Sequence, residues 1–303
     1  MKISIVMAAY NRSNVLRYAV ESLLRSTVTD WELLVIGDAC TDDTEDVVAS
    51  FDDPRIHFYN MEKNCGEQSG PNNEGLRRAQ GEYVAFLSQD DMWFPDHLEK
   101  LLAAIQQDCA DGALATGAAF VTDDSCVLWG VGISRDYSPW HGESGGASLW
   151  LIKSSILQDA GGWRAAKDLV LPPSQDVLIR LWNSGAHLVN TAEITAIIIP
   201  SGDRLNSYSG SHDEINARLF YRMTHEPDFR EKLYQSIAVG YKRKQMVDGL
   251  SFKAALYKIG AVIMKKIGRL FGITPVELYY RIRHVRKGRF INVLRQRRGL
   301  PQL

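Results

Sequence analysis

Two rhythms of apolar and polar positions alternate along the first two hundred residues. Ile3 to Met7, Trp31 to Ile36, Arg55 to Tyr59 and Tyr83 to Leu87 are short apolar runs, too brief for free-standing helices, and read as buried strands. Between them, apolar residues three and four apart predict helices from about Val15 to Leu24, over Thr44 to Phe51, and from the Gly-rich segment Asn64 to Gly75 through Ala79. The alternation continues with an amphipathic turn from Asp96 through Ile105 and a small-residue strand region from Ala113 to Val121. A helix from Val177 to Trp182 and a strand from Glu193 to Ile199 follow. Strand and helix at this spacing predict an α/β fold built on a mostly parallel, doubly wound sheet. The pattern loosens between Thr122 and Ser144, a polar stretch carrying Trp129, Tyr137 and Trp140. Irregular stretches of that length are functional or mobile.

Chemistry gathers where the strands stop. The run from Tyr83 leads into Asp90 and Asp91, with Trp93 and Pro95 behind them, and Pro95 suits a helix start. Asp38 stands just past the second strand, so both acidic points fall on one edge of the sheet, where open α/β sheets take their ligands. Two adjacent carboxylates cannot pair with each other and need a cation or an ordered hydrogen-bond network. The plainer readings are a capped helix for Asp90-Asp91 and an Asx-turn for Asp38. Asp42 and Asp43 read as caps of the helix beginning near Thr44, and Asn72 and Asn73 as either turn formers or ligands of an anion at a helix start.

Composition divides the chain. Residues 1–230 hold 18 Lys+Arg against 33 Asp+Glu, whereas the last 73 hold 17 against 3, a tail of net charge about +14 that calls for an anionic partner. The four cysteines are scattered without a C-x-x-C pair, which argues against a zinc site or disulfide framework and favours a reducing compartment. The first strand begins at once, leaving no secretory signal, and no apolar run reaches a membrane span of roughly 18 residues.

Four blocks, S-I-V-M-A-A-Y-N-R, V-I-G-D-A-C-T-D-D-T, G-P-N-N-E-G and G-E-Y-V-A-F-L-S-Q-D-D-M-W-F-P, occur in an order that resembles glycosyltransferase family 2 over about the first 100 residues. The resemblance implies a GT-A domain binding a nucleotide-sugar, with Ala9, Tyr10 and Asp38 on the base and ribose. It implies Asp90 and Asp91 as the end of a D-x-D-type motif carrying Mg²⁺ or Mn²⁺ on the diphosphate, and Asn73 near the donor. Arg204 and His212 lie where the family often sends a basic residue to the diphosphate, His212 as a metal ligand. Ser174-Gln175-Asp176 occupies the place of the family's Glu-Asp pair, which implies Asp176 as catalytic base and Gln175 as a hydrogen-bonding acceptor contact. A helix cap is the alternative for Asp176. Trp140 is a candidate acceptor platform or a core residue. Two positions depart from the family: Ser88 replaces the first Asp of the D-x-D-D run, and Gly37 the first Asp of the D-D-G-S turn.

The expected organisation is a GT-A domain over 1–225 and a basic helical extension over 226–303. In the extension, Phe252, Leu256, Ile259, Ile263, Ile267 and Leu270 form an apolar stripe flanked by Lys253 and Lys266, and a second helix from about Val276 to Leu294 carries Arg281, Arg283, Arg286, Lys287 and Arg289. Either the pair packs on the domain with a solvated basic face, or it docks on an anionic membrane surface. Nucleic acid lacks an accompanying motif. The expected function is inverting transfer to a hydroxyl of a glycan or lipid-linked acceptor, in the cytoplasm or at the inner membrane face. A binding module of the same fold that has lost activity is the competing reading, and a nucleotidyltransferase is disfavoured because A-A-Y-N-R-S-N is no Gly-rich basic phosphate loop.

Overall fold

The computed structural model describes residues 2–120, 126–129, 135–141, 146–201, 205–208, 213–249, 266, 268, 271–283 and 286–303. Strand β1 (Ile3–Ala9) lies between β2 (Trp31–Gly37) and β4 (Tyr83–Phe86), with β3 (Ile56–Asn60) outside β2, all parallel. β1, β2 and β4 are buried almost throughout, as expected of strands covered on both faces. Helices α1 (Ser13–Leu24), α2 (Thr44–Ala49) and α3 (Ser69–Arg78) are the connections. Beyond β4 the sheet becomes mixed. β5 (Met92–Trp93), α4 (His97–Asp108), β6 (Gly112–Phe120), β7 (Cys126–Trp129), β8 (Trp150–Lys153), α5 (Ser154–Asp159), α6 (Pro173–Asn183) and β9 (Leu188–Ile198) follow in the chain. β8 runs antiparallel between β4 and β6, and β6 pairs parallel with β9.

Two cores hold this together. The larger joins the inner strands to Leu16, Val20 and Leu23 of α1 and to Leu98, Leu101 and Ile105 of α4. The second collects Met92, Ile194 and Ile197 with Leu219 of α7 (Glu214–His225) and Phe229 and Leu233 of α8 (Phe229–Gly249). Each such side chain contributes about 1.5–3 kcal/mol on burial. α3 approaches β1 closely because Gly75 faces Val6, where a Cβ would lie 2.3 Å from Val6 Cγ1.

The tail differs from its expected form. The single helix predicted over 276–294 is two, α9 (Pro275–Arg283) and α10 (Arg289–Arg297), separated at Gly288 with φ +73°. A left-handed residue of this kind ends or turns a helix. The apolar stripe from Phe252 to Leu270 lies outside the described residues. Among the described residues, no helix is long and apolar enough to cross a membrane.

The sheet's register sets the site. Ala9 pairs with Gly37 at the ends of β1 and β2, so Tyr10 and Asp38 emerge side by side, and β4 delivers Ser88 to Asp91 on the same edge. The chain turns sharply there: Asn11 (φ +45°) and Ala39 (φ +56°) are both left-handed, a conformation that costs a non-glycine residue energy and clusters at functional edges. Asn11 and Thr41 exchange hydrogen bonds at 2.8 and 3.2 Å that tie the two turns.

Candidate donor cleft at the strand ends

A cleft of about 220 Å³ opens along this edge, and Ala9, Tyr10, Asp38 and Asp90 all line it. Asp38 is buried and accepts the amide N–H groups of Cys65 (2.6 Å) and Gly66 (3.0 Å), while its carbonyl accepts Asn64 Nδ2 (2.7 Å). The residue thus holds the loop after β3 against the end of β2. Burial pushes its carboxyl up from the usual range, against the pull of the two amides. Tyr10 N–H donates to Gln89 Oε1 (2.9 Å), and Gln89 Nε2 donates to Tyr208 Oη (3.2 Å). Tyr10 and Tyr208 stack with ring centres 6.3 Å apart, forming one aromatic wall.

The paired acids have separate environments. Asp91 is buried yet still lines the cleft: Ser148 Oγ donates to one carboxylate oxygen (2.6 Å) and Ile199 N–H to the other (2.9 Å). Burial raises its pKa to about 7, those two hydrogen bonds notwithstanding. Asp90 forms a buried ion pair with Arg12, and its carbonyl accepts Asn216 Nδ2 at 2.9 Å. With both Asp91 oxygens occupied, Asp90 facing a guanidinium and Ser88 neutral, these residues do not fit a divalent cation as they stand. No group of three or more potential ligands occurs among the described residues. His212 and Arg204 lie outside the described residues.

The second chemical centre is knitted from ion pairs. α6 begins at Pro173, four residues earlier than the sequence pattern indicates, so Asp176 falls within the first turn. Its carboxylate meets Arg180 Nε at 2.7 Å and Arg164 Nη1 at 3.5 Å, and Arg180 also donates to the carbonyls of Ala160 and Gly162. Ser174, rather than Asp176 or Gln175, faces the cleft. Asn73 is also outside the cleft wall, because its amide exchanges two 2.8 Å bonds with the backbone of Trp163 and clamps α3 to the turn before α6, whereas Asn72 lines the cleft. Trp140 is half-buried in a short turn beside Gly268, away from the cleft lining. Of the two expected caps, Asp42 accepts the N–H of Thr44 and of Ser13, whereas Asp43 makes no side-chain capping bond to α2 and accepts the Ser13 hydroxyl instead.

Several residues at or beside the cleft escaped the sequence reading. Arg12 and Tyr208 flank the acids, with the Arg12 guanidinium 5.1 Å from the Tyr208 ring centre. Arg295 and Arg298 reach the cleft from α10 and its end, the Arg298 guanidinium lying 5.5 Å from the Tyr208 ring centre. One signal was available. Arg295 follows Ile291 by four residues, and Ile291 is the buried residue of α10, so Arg295 shares the inward face.

The curled mixed sheet and its strand-end cleft define the GT-A type of α/β fold. Residues 4–126 match the family described as Glycosyl transferase family 2. A teichuronic acid biosynthesis glycosyltransferase assigned by name in Bacillus subtilis, TuaG, is 37% identical over 129 residues, 42% of this chain and 50% of the relative. The Escherichia coli UDP-Glc:α-D-GlcNAc-diphosphoundecaprenol β-1,3-glucosyltransferase WfgD is 37% identical over 97 residues, 32% of this chain and 38% of the relative. The matches thus span half or less of these curated relatives. Among solved structures, S. aureus TarS 1–349 in complex with UDP-GlcNAc superposes with a TM-score of 0.60 at 15% identity, over 99% of this chain and 93% of that one. The mannosyltransferase PcManGT of Pyrobaculum calidifontis, in complex with GDP-Man and Mn²⁺, gives 0.52 at 12% identity over 98% and 86%. At these identities the two structures establish the fold.

Proposed function

We propose that this chain transfers a sugar from a nucleoside-diphosphate sugar to a hydroxyl of a glycan or lipid-linked acceptor, with inversion, in the synthesis of a cell-surface polysaccharide. The observation that carries the reading is the single cleft lined by Ala9, Tyr10, Asp38 and Asp90 within the segment that matches the family. Tyr10 and Tyr208 offer aromatic surface to a base, and Asp38, by holding the Cys65 and Gly66 amides, shapes the part of the cleft where a base or ribose would lie. UDP, GDP and dTDP sugars are the donors to test, and the names of WfgD and the TarS complex favour UDP. Inverting transfer needs one carboxylate to take the acceptor hydroxyl's proton as its oxygen attacks the anomeric carbon. Asp176 is assigned that role, with Arg164, the more exposed of its two partners, giving way to the acceptor. Mn²⁺ or Mg²⁺, were it bound, would supply positive charge to the leaving diphosphate. Because the residues present do not fit the ion, no step here is routed through it. The basic surface of the tail is proposed to rest on an anionic membrane face.

One observation favours a second reading, a donor-binding module without transfer: Ser174 faces the cleft, while Asp176 is tied to two arginines. Release of nucleoside diphosphate in the presence of glycan or lipid-linked acceptors separates the two. Under the transfer reading, Asp176→Asn binds donor as the parent does and turns over about 10²–10⁴-fold more slowly. Donor binding with no release by the parent, across the panel, establishes the module.

A further inference from the structure

The cleft has a cationic wall contributed by the end of the chain. Arg295 is only 7% exposed, and its guanidinium donates to the carbonyls of Gly66 and, at 2.6 Å, Pro301. Arg298 lines the same cleft, and its buried Nε has no hydrogen-bond partner among the described residues. An arginine offers five donors, so both guanidinium groups keep N–H groups unused by the protein. Neither forms an ion pair among the described residues, in contrast to Arg12, which Asp90 neutralises. The segment is fixed rather than draped. Asn206 N–H donates to the Arg297 carbonyl (2.7 Å), Tyr208 N–H to that of Arg298 (3.2 Å), and Leu300 N–H to that of Arg295 (2.8 Å). Arg295 lies near enough to Asp38 to favour its charged form without pairing with it, buried guanidinium donors without a partner are costly, and a planar fork of this kind matches phosphate oxygens.

We infer that Arg295 and Arg298 bind the diphosphate of the donor, in the place of a divalent cation, so that donor binding is metal-independent and depends on the basic C-terminal segment. This inference rests on the donor reading above and adds the source of its positive charge. The acids expected to carry the ion are already committed, Asp90 to Arg12 and Asp91 to Ser148 and Ile199. The charge a leaving diphosphate requires then comes from guanidinium groups alone, which supply the same electrostatic stabilisation without a metal.

The test is calorimetric titration of the full chain with UDP, GDP, dTDP and the matching nucleosides, in EDTA and in Mn²⁺. The parent should bind at least one nucleoside diphosphate equally well in both buffers. Arg298→Gln should weaken that diphosphate about ten- to a hundred-fold, the worth of a charge-assisted hydrogen bond, and leave the nucleoside unchanged. Arg298→Lys should recover part of the loss. A diphosphate that binds only with Mn²⁺ overturns the inference and leaves the donor reading standing, and this arm needs no variant to fold. Equal binding by Arg298→Gln and parent overturns it likewise. A parent that binds no diphosphate in either buffer overturns both and locates the fault in the donor reading.

Discussion

His97 begins α4 with its ring stacked on Trp93 at 4.3 Å, its Nδ1 2.8 Å from Thr195 Oγ1 and its Nε2 buried without a partner. Burial lowers its pKa to about 3, while burial of Asp91 raises that carboxyl to about 7. From about pH 4 to 7 the native state holds a proton on Asp91 that the unfolded chain has released. Stability therefore falls with rising pH, by about 1.4 kcal/mol per unit. From about pH 3 to 6.5 the unfolded chain binds a proton that buried His97 refuses, so this residue makes stability rise with pH at the same slope. The two nearly cancel between about pH 4 and 6.5. Denaturant titrations across that window should find His97→Phe losing stability relative to the parent as pH rises, and Asp91→Asn gaining. Flat differences in both would dismiss the assignment. None of this was legible in D-D-M-W-F-P-D-H, because the groups that hold Asp91, Ser148 and Ile199, lie 57 and 108 residues away. Asn73 was misjudged for the same reason. Its amide could serve a turn, an anion or a clamp, and only the arrival of Trp163 decides.

At the scale of elements, periodicity found β1 to β4, α1 and the start of α4, because each depends on its own burial pattern. It was silent on β8, which runs antiparallel between β4 and β6, since pairing partners leave no mark on local periodicity. Close packing is likewise written in pairs. Gly75→Ala improves helix propensity by about 1 kcal/mol, yet puts a methyl 2.3 Å from Val6 Cγ1. Steric conflict should win, lowering the melting temperature, and Val6→Ala in the same chain should return part of the loss. A stabilised Gly75→Ala single variant would mean that α3 is free to move off β1.

For the whole molecule, the division into an acidic body and a basic tail was plain from charge counts, but its geometry was not. The tail's arginines have two destinations. Arg295 is buried at the cleft, whereas Arg286, Lys287 and Arg289 are exposed around the start of α10. The two roles should therefore separate. Replacing Arg286, Lys287 and Arg289 together by Gln should weaken salt-sensitive binding to phosphatidylglycerol vesicles and spare nucleotide affinity, while Arg298→Gln should do the reverse. Full-length protein that ignores such vesicles at low salt would remove the membrane from consideration.

Ala9 and Tyr10 line the cleft together with Arg295 and Arg298, so it draws its walls from widely separated parts of the sequence. On the ribosome, the sheet's first four strands emerge and can pair long before α10 exists. The cleft wall is complete only after residue 298 has cleared the exit tunnel. A chain released early would carry the family's recognisable N-terminal motifs and still lack the arginine rim. With Arg295 and Arg298 holding the diphosphate as inferred above, occupancy by nucleotide would report that synthesis has run past α10.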